Sequence, residues 1–168
     1  MARKSDISSL GVKDPVTLIC RHEQFYSETE FALHHHPFGQ LLYVASGVME
    51  MTVEGQRYLA PAGFCIWIPP GTEHASYNKA CASFKIIDIS PQWAPQLPQM
   101  ACVIELTPVF SAVMQDLFGR KVREPETDAD RRLALVLTDQ LLLSRCQPTY
   151  LPVTDDKLLA PVLSALEN

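Results

Sequence analysis

Three adjacent histidines, His34, His35 and His36, are the residues of this chain best suited to bind a metal ion. Neutral imidazole offers a lone pair at neutral pH, which makes histidine the commonest transition-metal ligand in proteins. In a β-strand, the side chains at positions i and i+2 point to the same face. We therefore expect His34 and His36 to face one way and His35 the other, so that the first two form half of a metal site.

Short strands separated by turn signals would position this histidine pair. Turn sequences such as Glu54-Gly55 and Pro69-Pro70-Gly71 separate runs that are rich in β-branched and aromatic residues. Many short strands in this arrangement are typical of an antiparallel sandwich or barrel rather than of a parallel α/β fold. The predicted strands are residues 16–20, 30–36, 40–46, 48–53, 56–60, 64–68, 75–78 and 82–89.

Strand alternation also predicts which side chains share the face of the histidine pair. In the second strand, Phe31 and Leu33 are expected on the face opposite His34 and His36. We expect His35, His22 and Trp67 to be outer-face or wall residues. The aromatic residues available to line the interior are Phe38, Tyr43, Phe64 and Trp67.

The sequence changes from strands to helices after residue 89. A proline-rich connector over residues 90–100 leads to one more short strand at 102–106. Thr107 followed by Pro108 is a helix start signal, and the apolar periodicity predicts a helix over 108–119. A second helix is expected over 128–144, and a short final helix over 154–166.

The second predicted helix is apolar on more than one side. Leu133, Val136, Leu137 and Leu141 are expected on one face, and further leucines widen that surface: Leu135, Leu142 and Leu143. Such a helix needs more than one partner surface. The sequence leaves two explanations open, an interface between two copies of the chain or deep burial within one copy.

Composition and charge exclude several classes of protein. The chain has 168 residues, 47% of them hydrophobic, and a formal net charge of −5. No stretch is strongly basic, so these residues alone do not form a nucleic-acid interface. The five cysteines are widely spaced and form no CxxC, which favours reduced thiols. No signal peptide or apolar run of membrane-spanning length is present, so we expect a cytoplasmic protein.

Two spaced motifs resemble those of the cupin superfamily. The first is H-x-H-x3-Q-x6-G from His34 to Gly47, and the second is G-x5-P-x-G-x2-H-x3-N from Gly63 to Asn78. This resemblance implies a mostly β fold, a cupin-type, jelly-roll-like antiparallel β-barrel, followed here by the helical hairpin and the short final helix. It also implies a metal site formed by His34, His36, Gln40 and His74.

Gln40 stands where the superfamily usually has a glutamate. A neutral amide oxygen offsets none of the charge of a divalent ion. Three imidazoles and an amide favour Zn, Ni or Cu over Fe. The alternative, in which the same side chains line a polar cavity without metal, stays open.

Three segments resemble the sensor domain of AraC-type bacterial transcription regulators more closely. They are residues 36–49, residues 67–74 and the pattern Leu158-x2-Pro161-Val162-Leu163-x-Ala165-Leu166. The resemblance implies an arm at 1–14, a barrel sensor at 15–106, a helical dimerisation hairpin at 107–146, and a linker with a first helix at 147–168. A DNA-binding helix-turn-helix domain is expected beyond Asn168, because the chain ends within an amphipathic pattern.

The resemblance therefore implies an effector-sensing and dimerisation domain rather than an enzyme. Its expected partners are a second copy of the chain, DNA through the helix-turn-helix domain, and a small-molecule or metal effector, but no membrane. We expect no catalytic residues. The alternatives are a small metal-dependent cupin enzyme, such as an isomerase or dioxygenase, and a metal-free binding module.

Overall fold

A computed structural model describes residues 3–5 and 15–147 of the protein. It contains eleven strands and two α-helices in this part of the chain, with a short 3-10 turn at Ala94–Gln96. The elements are β1 (Arg3–Ser5), β2 (Leu18–Phe25), β3 (Thr29–His34), β4 (Gly39–Ser46), β5 (Val48–Val53), β6 (Gln56–Pro61), β7 (Cys65–Ile68), β8 (His74–Asn78), β9 (Ala82–Ile89), β10 (Cys102–Ile104), α1 (Pro108–Gly119), α2 (Asp128–Leu143) and β11 (Cys146–Gln147).

The strands form two sheets. One has the order β1-β3-β8-β5-β6 and the other the order β11-β10-β7-β4-β9-β2. Every pairing is antiparallel except that of β1 with β3. Side chains from both sheets, such as Met51 and Phe84, share one buried apolar cluster. This arrangement confirms the predicted mostly β fold with an antiparallel barrel and a helical hairpin after it.

The central strands of the six-stranded sheet, β7, β4 and β9, are largely buried on both faces. Along β4, Leu42 points into the barrel, whereas Leu41 points outwards and packs with Trp67 and with Phe110 of α1. All four residues of β7 are buried. A strand covered on both faces needs apolar residues at consecutive positions, which explains the unbroken apolar run in this part of the sequence.

The two helices begin at threonine caps. Thr107 Oγ1 accepts a hydrogen bond from the amide of Phe110 at 3.0 Å and donates one to Gln140 Oε1 of α2 at 2.7 Å. Thr127 Oγ1 accepts from the amide of Asp130 at 3.1 Å. The predicted bounds of α1 are confirmed, and α2 ends one residue earlier than predicted. The predicted final helix lies outside the described residues.

One face of α2 covers the barrel while another stays exposed. Ala134, Leu137, Thr138 and Leu141 are buried. Exposed apolar side chains on the same helix are Leu135, Val136, Leu142 and Leu143. The face expected to hold Val136, Leu137 and Leu141 is therefore only partly buried, because Val136 is exposed. Deep burial of the whole helix within one chain is wrong.

Two further expectations need correction. The first long strand covers Leu18–Phe25 rather than residues 16–20, because its pairing with β9 begins at Leu18 and continues to Phe25. Val16 lies before this pairing and is 79% exposed. Cys102 is disulfide-bonded, so the expectation of reduced thiols does not hold for this residue.

Neither helix in residues 3–5 and 15–147 has the length and apolar character that a membrane span requires.

Candidate metal and ligand site

A cavity of about 50 Å³ lies between the two sheets. A cavity of this size holds a few water molecules, or an ion with part of its hydration shell, and is smaller than a site for a drug-sized ligand. Phenylalanine and methionine side chains form much of its wall, and polar groups lie among them. The polar residues that line it are Arg21, Glu23, His34, His36, Gln40, His74 and Ser76.

A β-bulge brings His34 to this cavity. Phe31 pairs with Ser76, and His34 pairs with His74, so β3 has one more residue than β8 between the two pairs. The extra residue shifts the alternation of side chains by one position. Phe31 and His34 both line the cavity, whereas Leu33 is 62% exposed. The prediction that Phe31 lies on the face opposite His34 is therefore wrong.

The Nδ1 atoms of the three cavity histidines all contact backbone carbonyl oxygens. His34 Nδ1 lies 2.6 Å from the oxygen of Ala32, and His36 Nδ1 lies 2.7 Å from that of Phe38. His74 Nδ1 lies 2.8 Å from the oxygen of Thr72. A carbonyl oxygen only accepts, so each Nδ1 carries a proton and donates it, and in a neutral ring the lone pair is then on Nε2. The same contact orients the ring of many metal-binding histidines.

Burial keeps two of these imidazoles neutral. His36 is 5% exposed and His74 is 2% exposed. Burial lowers the pKa of His74 to about 3, and it also lowers the pKa of His36 below its ordinary value. His36 Nε2 has no hydrogen-bond partner among the described residues. A buried lone pair without a partner fits a metal ion or a ligand that donates a hydrogen bond.

The distances between the three imidazole rings are close to those in a histidine metal site, but they do not all match. Ring centroids are 4.2 Å apart for His34 and His74, 4.9 Å for His36 and His74, and 6.2 Å for His34 and His36. A metal–nitrogen distance near 2.1 Å places such centroids about 4.6–5.3 Å apart. Among the described residues, no group of three or more His, Cys, Asp or Glu has the arrangement of a ready metal site.

Gln40 is held by a buried ion pair that sequence reasoning missed. Its Nε2 donates to Asp88 Oδ1 at 3.0 Å. Arg21 donates to the same carboxylate from Nε at 2.7 Å and from Nη2 at 3.0 Å. Because the amide nitrogen of Gln40 donates to Asp88, the amide oxygen is the part of this side chain that can contact a metal or a ligand. A glutamate at position 40 would put a second carboxylate against Asp88, which gives a physical reason for the neutral residue here.

The sequence from residue 17 to residue 142 matches the family model described as "AraC-like ligand binding domain". This match covers more than half of the chain. The chain belongs to that family. The family match includes the barrel strands from β2 onwards and nearly all of the helical hairpin.

A curated relative supports the same membership. The chain is 30% identical over 122 residues to the HTH-type transcriptional regulator NimR of Escherichia coli (strain K12), covering 73% of this chain. It spans less than half of that relative's length, 44%.

Similar solved structures include an RmlC-like cupin from Shewanella frigidimarina NCIMB 400. It is 22% identical, the match covers 44% of this chain and 66% of that one, and the TM-score is 0.42. The EutQ protein of Clostridium difficile is 22% identical, with 46% and 60% covered and a TM-score of 0.40.

In this AraC-like ligand binding domain, the aromatic wall differs from the expected set. Phe38 lines the cavity as predicted, and its ring stacks on His36 at 4.2 Å between centroids. Phe64 is 45% exposed, and Trp67 and Tyr43 pack on the outer side of the sheet, towards the helices. The missed members are Phe25, Phe31 and Phe84. His35 is exposed and His22 contacts Ser83, so both lie outside the site as expected.

Proposed function

We propose that this domain senses an effector for a transcription regulator, and that the effector or a divalent transition metal binds among the cavity histidines. The observation that carries the proposal is the shared orientation of the three imidazoles. Each gives its Nδ1 proton to a backbone carbonyl, and the buried rings of His36 and His74 keep a lone pair on Nε2. His36 and His74 are buried and neutral, which is the form that binds metal.

His34, His36 and His74 would hold the metal, with the oxygen of Gln40 as a fourth donor. This neutral set supports Zn, Ni or Cu over Fe. A bound ion would supply positive charge that attracts and orients an effector. The chain itself sets the geometry, because Asp88 fixes the Gln40 amide and backbone carbonyls fix the imidazoles.

Binding is proposed rather than catalysis because the nearby carboxylates are already engaged. Glu23 is the carboxylate among the residues that line the cavity, and Arg21 contacts it at 3.4 Å. Arg21 also pairs with the fully buried Asp88 at 2.7 Å. Paired carboxylates of this kind are poor general bases.

The path from effector to output runs through the six-stranded sheet. Gln40 faces the cavity, while the next residue, Leu41, packs on the outer side in the cluster that includes Phe110 and Leu117 of α1. An effector shifts this packing only if it binds one of two arrangements of the sheet and helices better than the other. The helices would then reposition a helix-turn-helix domain beyond Asn168, in a cytoplasmic DNA-binding regulator.

The exposed apolar face of α2 supports a homodimer. Leu135, Val136, Leu142 and Leu143 share this face. A second copy of the domain would cover it and so place two DNA-binding domains on one operator.

Elemental analysis after loading with Zn, Ni or Cu tests the metal proposal. We expect bound metal in the native protein, loss of it in His74→Ala, and retention in His35→Ala, whose exposed side chain is a matched control. A native protein that takes up none of the three metals, or a His74→Ala variant that binds them equally well, would contradict metal binding.

Sequencing the gene beyond the codon for Asn168 tests the regulator proposal. We expect a helix-turn-helix region in the same reading frame, and a stop codon there would overturn the proposal.

A further inference from the structure

A second concave region lies on the outside of the barrel, between the edge strand β2 and the C-terminal end of α1. Its volume is about 580 Å³, within the usual range for small-molecule sites. Arg21 and Glu23 line both this groove and the internal cavity. The other side chains used here are Lys85 of β9, Phe118 of α1, and Lys121 and Arg123 of the following loop.

The groove carries positive charge that is not neutralised by ion pairs among the described residues. Arg21 is paired with Asp88 and contacts Glu23, the carboxylate of the groove. Within residues 3–5 and 15–147, Lys85, Lys121 and Arg123 form no ion pair with a carboxylate. Three uncompensated cations in one concavity, in a chain of net charge −5, create a local field that attracts anions.

Lys85 is held in place before any ligand arrives. Its Nζ lies 5.4 Å from the ring centroid of Phe118 and 6.0 Å from that of Tyr43. Both distances are within the range of a cation–π contact. The side chain is half-buried, so it loses little conformational freedom when it binds an anion.

Lys121 occupies a backbone conformation in which glycine is usual. Helix α1 ends with hydrogen bonds from the amide of Lys121 to the oxygen of Phe118 and from the amide of Val122 to that of Leu117. In this helix-ending motif the residue after the C-cap is left-handed and most often glycine. Lys121 has φ of +58°, so a charged side chain stands where it costs conformational energy.

We propose that this groove is a second binding site, for a small anion that carries two or more phosphate or carboxylate groups. Lys85, Lys121 and Arg123 bind the charged groups, and the ring of Phe118 contacts the remainder of the ligand. A nucleic-acid backbone fits less well, because the same helix and the loop after it also carry acidic residues: Asp116, Glu124 and Glu126. A small anion lies within the concavity, whose lining includes none of these three.

Titration calorimetry with pyrophosphate and with tricarballylate tests the site. The 168-residue chain is first freed of metal, so that the result does not depend on the histidine site. We expect both anions, or one of them, to bind, with an affinity that falls as salt is added. Binding of one alone identifies phosphate or carboxylate as the preferred group.

Variants separate binding from a structural role. Lys121→Gly and Arg123→Gln should each weaken binding about tenfold, as expected for loss of a charge-assisted hydrogen bond. Lys79→Gln removes an exposed charge elsewhere and should leave the affinity within about twofold. Lys121→Gly should also keep or raise the melting temperature, because glycine suits the left-handed position.

Three results would overturn the proposal. The first is that neither anion binds the native chain at millimolar concentration. The second is that Lys121→Gly and Arg123→Gln bind as tightly as the native chain. The third is that a duplex oligonucleotide binds while neither small anion does, which would indicate a nucleic-acid surface.

Discussion

The two faces of the six-stranded sheet are built from alternate residues of the same strands, yet they differ in what holds them together. On the outer face, Trp67 and Leu41 pack against the helices in a wholly apolar cluster. On the inner face, Gln40 and Asp88 form hydrogen bonds with each other. Both faces therefore contribute stability through burial of apolar side chains, and the inner face in addition buries polar groups whose cost is offset by pairing.

Trp67→Ala should lower the stability of the fold more than any other substitution named below. The indole is fully buried, and its Nε1 donates to the oxygen of Pro98 at 2.7 Å. Loss of a buried aromatic side chain should lower the free energy of unfolding by about 3–5 kcal/mol, measured by urea denaturation. Phe64→Ala, at a residue that is 45% exposed, is the control and should cost far less. Equal losses in the two variants would show that burial of Trp67 on the outer face does not stabilise the fold as described.

Gln40→Glu tests the polar inner face. A second carboxylate beside Asp88 should lower the free energy of unfolding by about 1–3 kcal/mol near neutral pH. It should not strengthen metal binding, although it restores the glutamate usual in the cupin superfamily. The double variant with Gln40→Glu and Asp88→Asn should recover most of the lost free energy of unfolding. If the single variant is as stable as the native protein, the pairing described for Asp88 does not restrict position 40.

Acid should destabilise the metal-free protein through the inner face. Burial lowers the pKa of His74 to about 3 in the folded state, against 6.5 for the free side chain. The unfolded state then binds more protons between these values, so stability falls as the pH falls from 6.5 towards 3. The slope due to this residue is about 1.4 kcal/mol per pH unit. His74→Asn, which cannot titrate, should reduce the slope measured by denaturation at several pH values, and an unchanged slope would contradict this assignment.

Leu142→Asp should have the smallest effect on the stability of the monomer. The side chain is 40% exposed on the face of α2 turned away from the barrel. Its replacement should change the free energy of unfolding of the monomer by less than about 0.5 kcal/mol, while mass measurement in solution should show loss of the dimer. Asp139→Asn is a control on the same exposed side of the helix. A native chain that is monomeric at high concentration would remove the basis for the interface.

Local signals in the sequence were sufficient to predict the bounds of several strands and helices. Strands Val48–Val53 and Ala82–Ile89 and helix Pro108–Gly119 have the predicted bounds. Their alternation, turn residues and caps act within a few residues of each other, so the sequence shows them directly. The four predicted site residues all line one cavity, and metal binding by them stays a prediction.

Features that depend on pairing between distant strands were not predictable. Of the four aromatic residues named as available for the wall, Phe38 lines the cavity and the others do not, because strand register decides which side chains point inwards. The partnership of Gln40 with Asp88 joins residues 48 positions apart. One signal was available: Asp88 is a charged residue inside the apolar run of β9, and such a residue usually has a partner. Arg21 in β2 was a candidate for that partner.

The bulge in β3 has a consequence for comparing related chains. Cavity-facing residues have odd numbers before the bulge, as at Phe31, and even numbers after it, as at His34 and His36. A related chain that lacked either Ala32 or Leu33 would have a regular ladder and would still pair Phe31 with Ser76 and His34 with His74. Two proteins with the same inner surface can thus differ in the spacing before their first histidine. An alignment that penalises a gap there would separate them, although their cavities match.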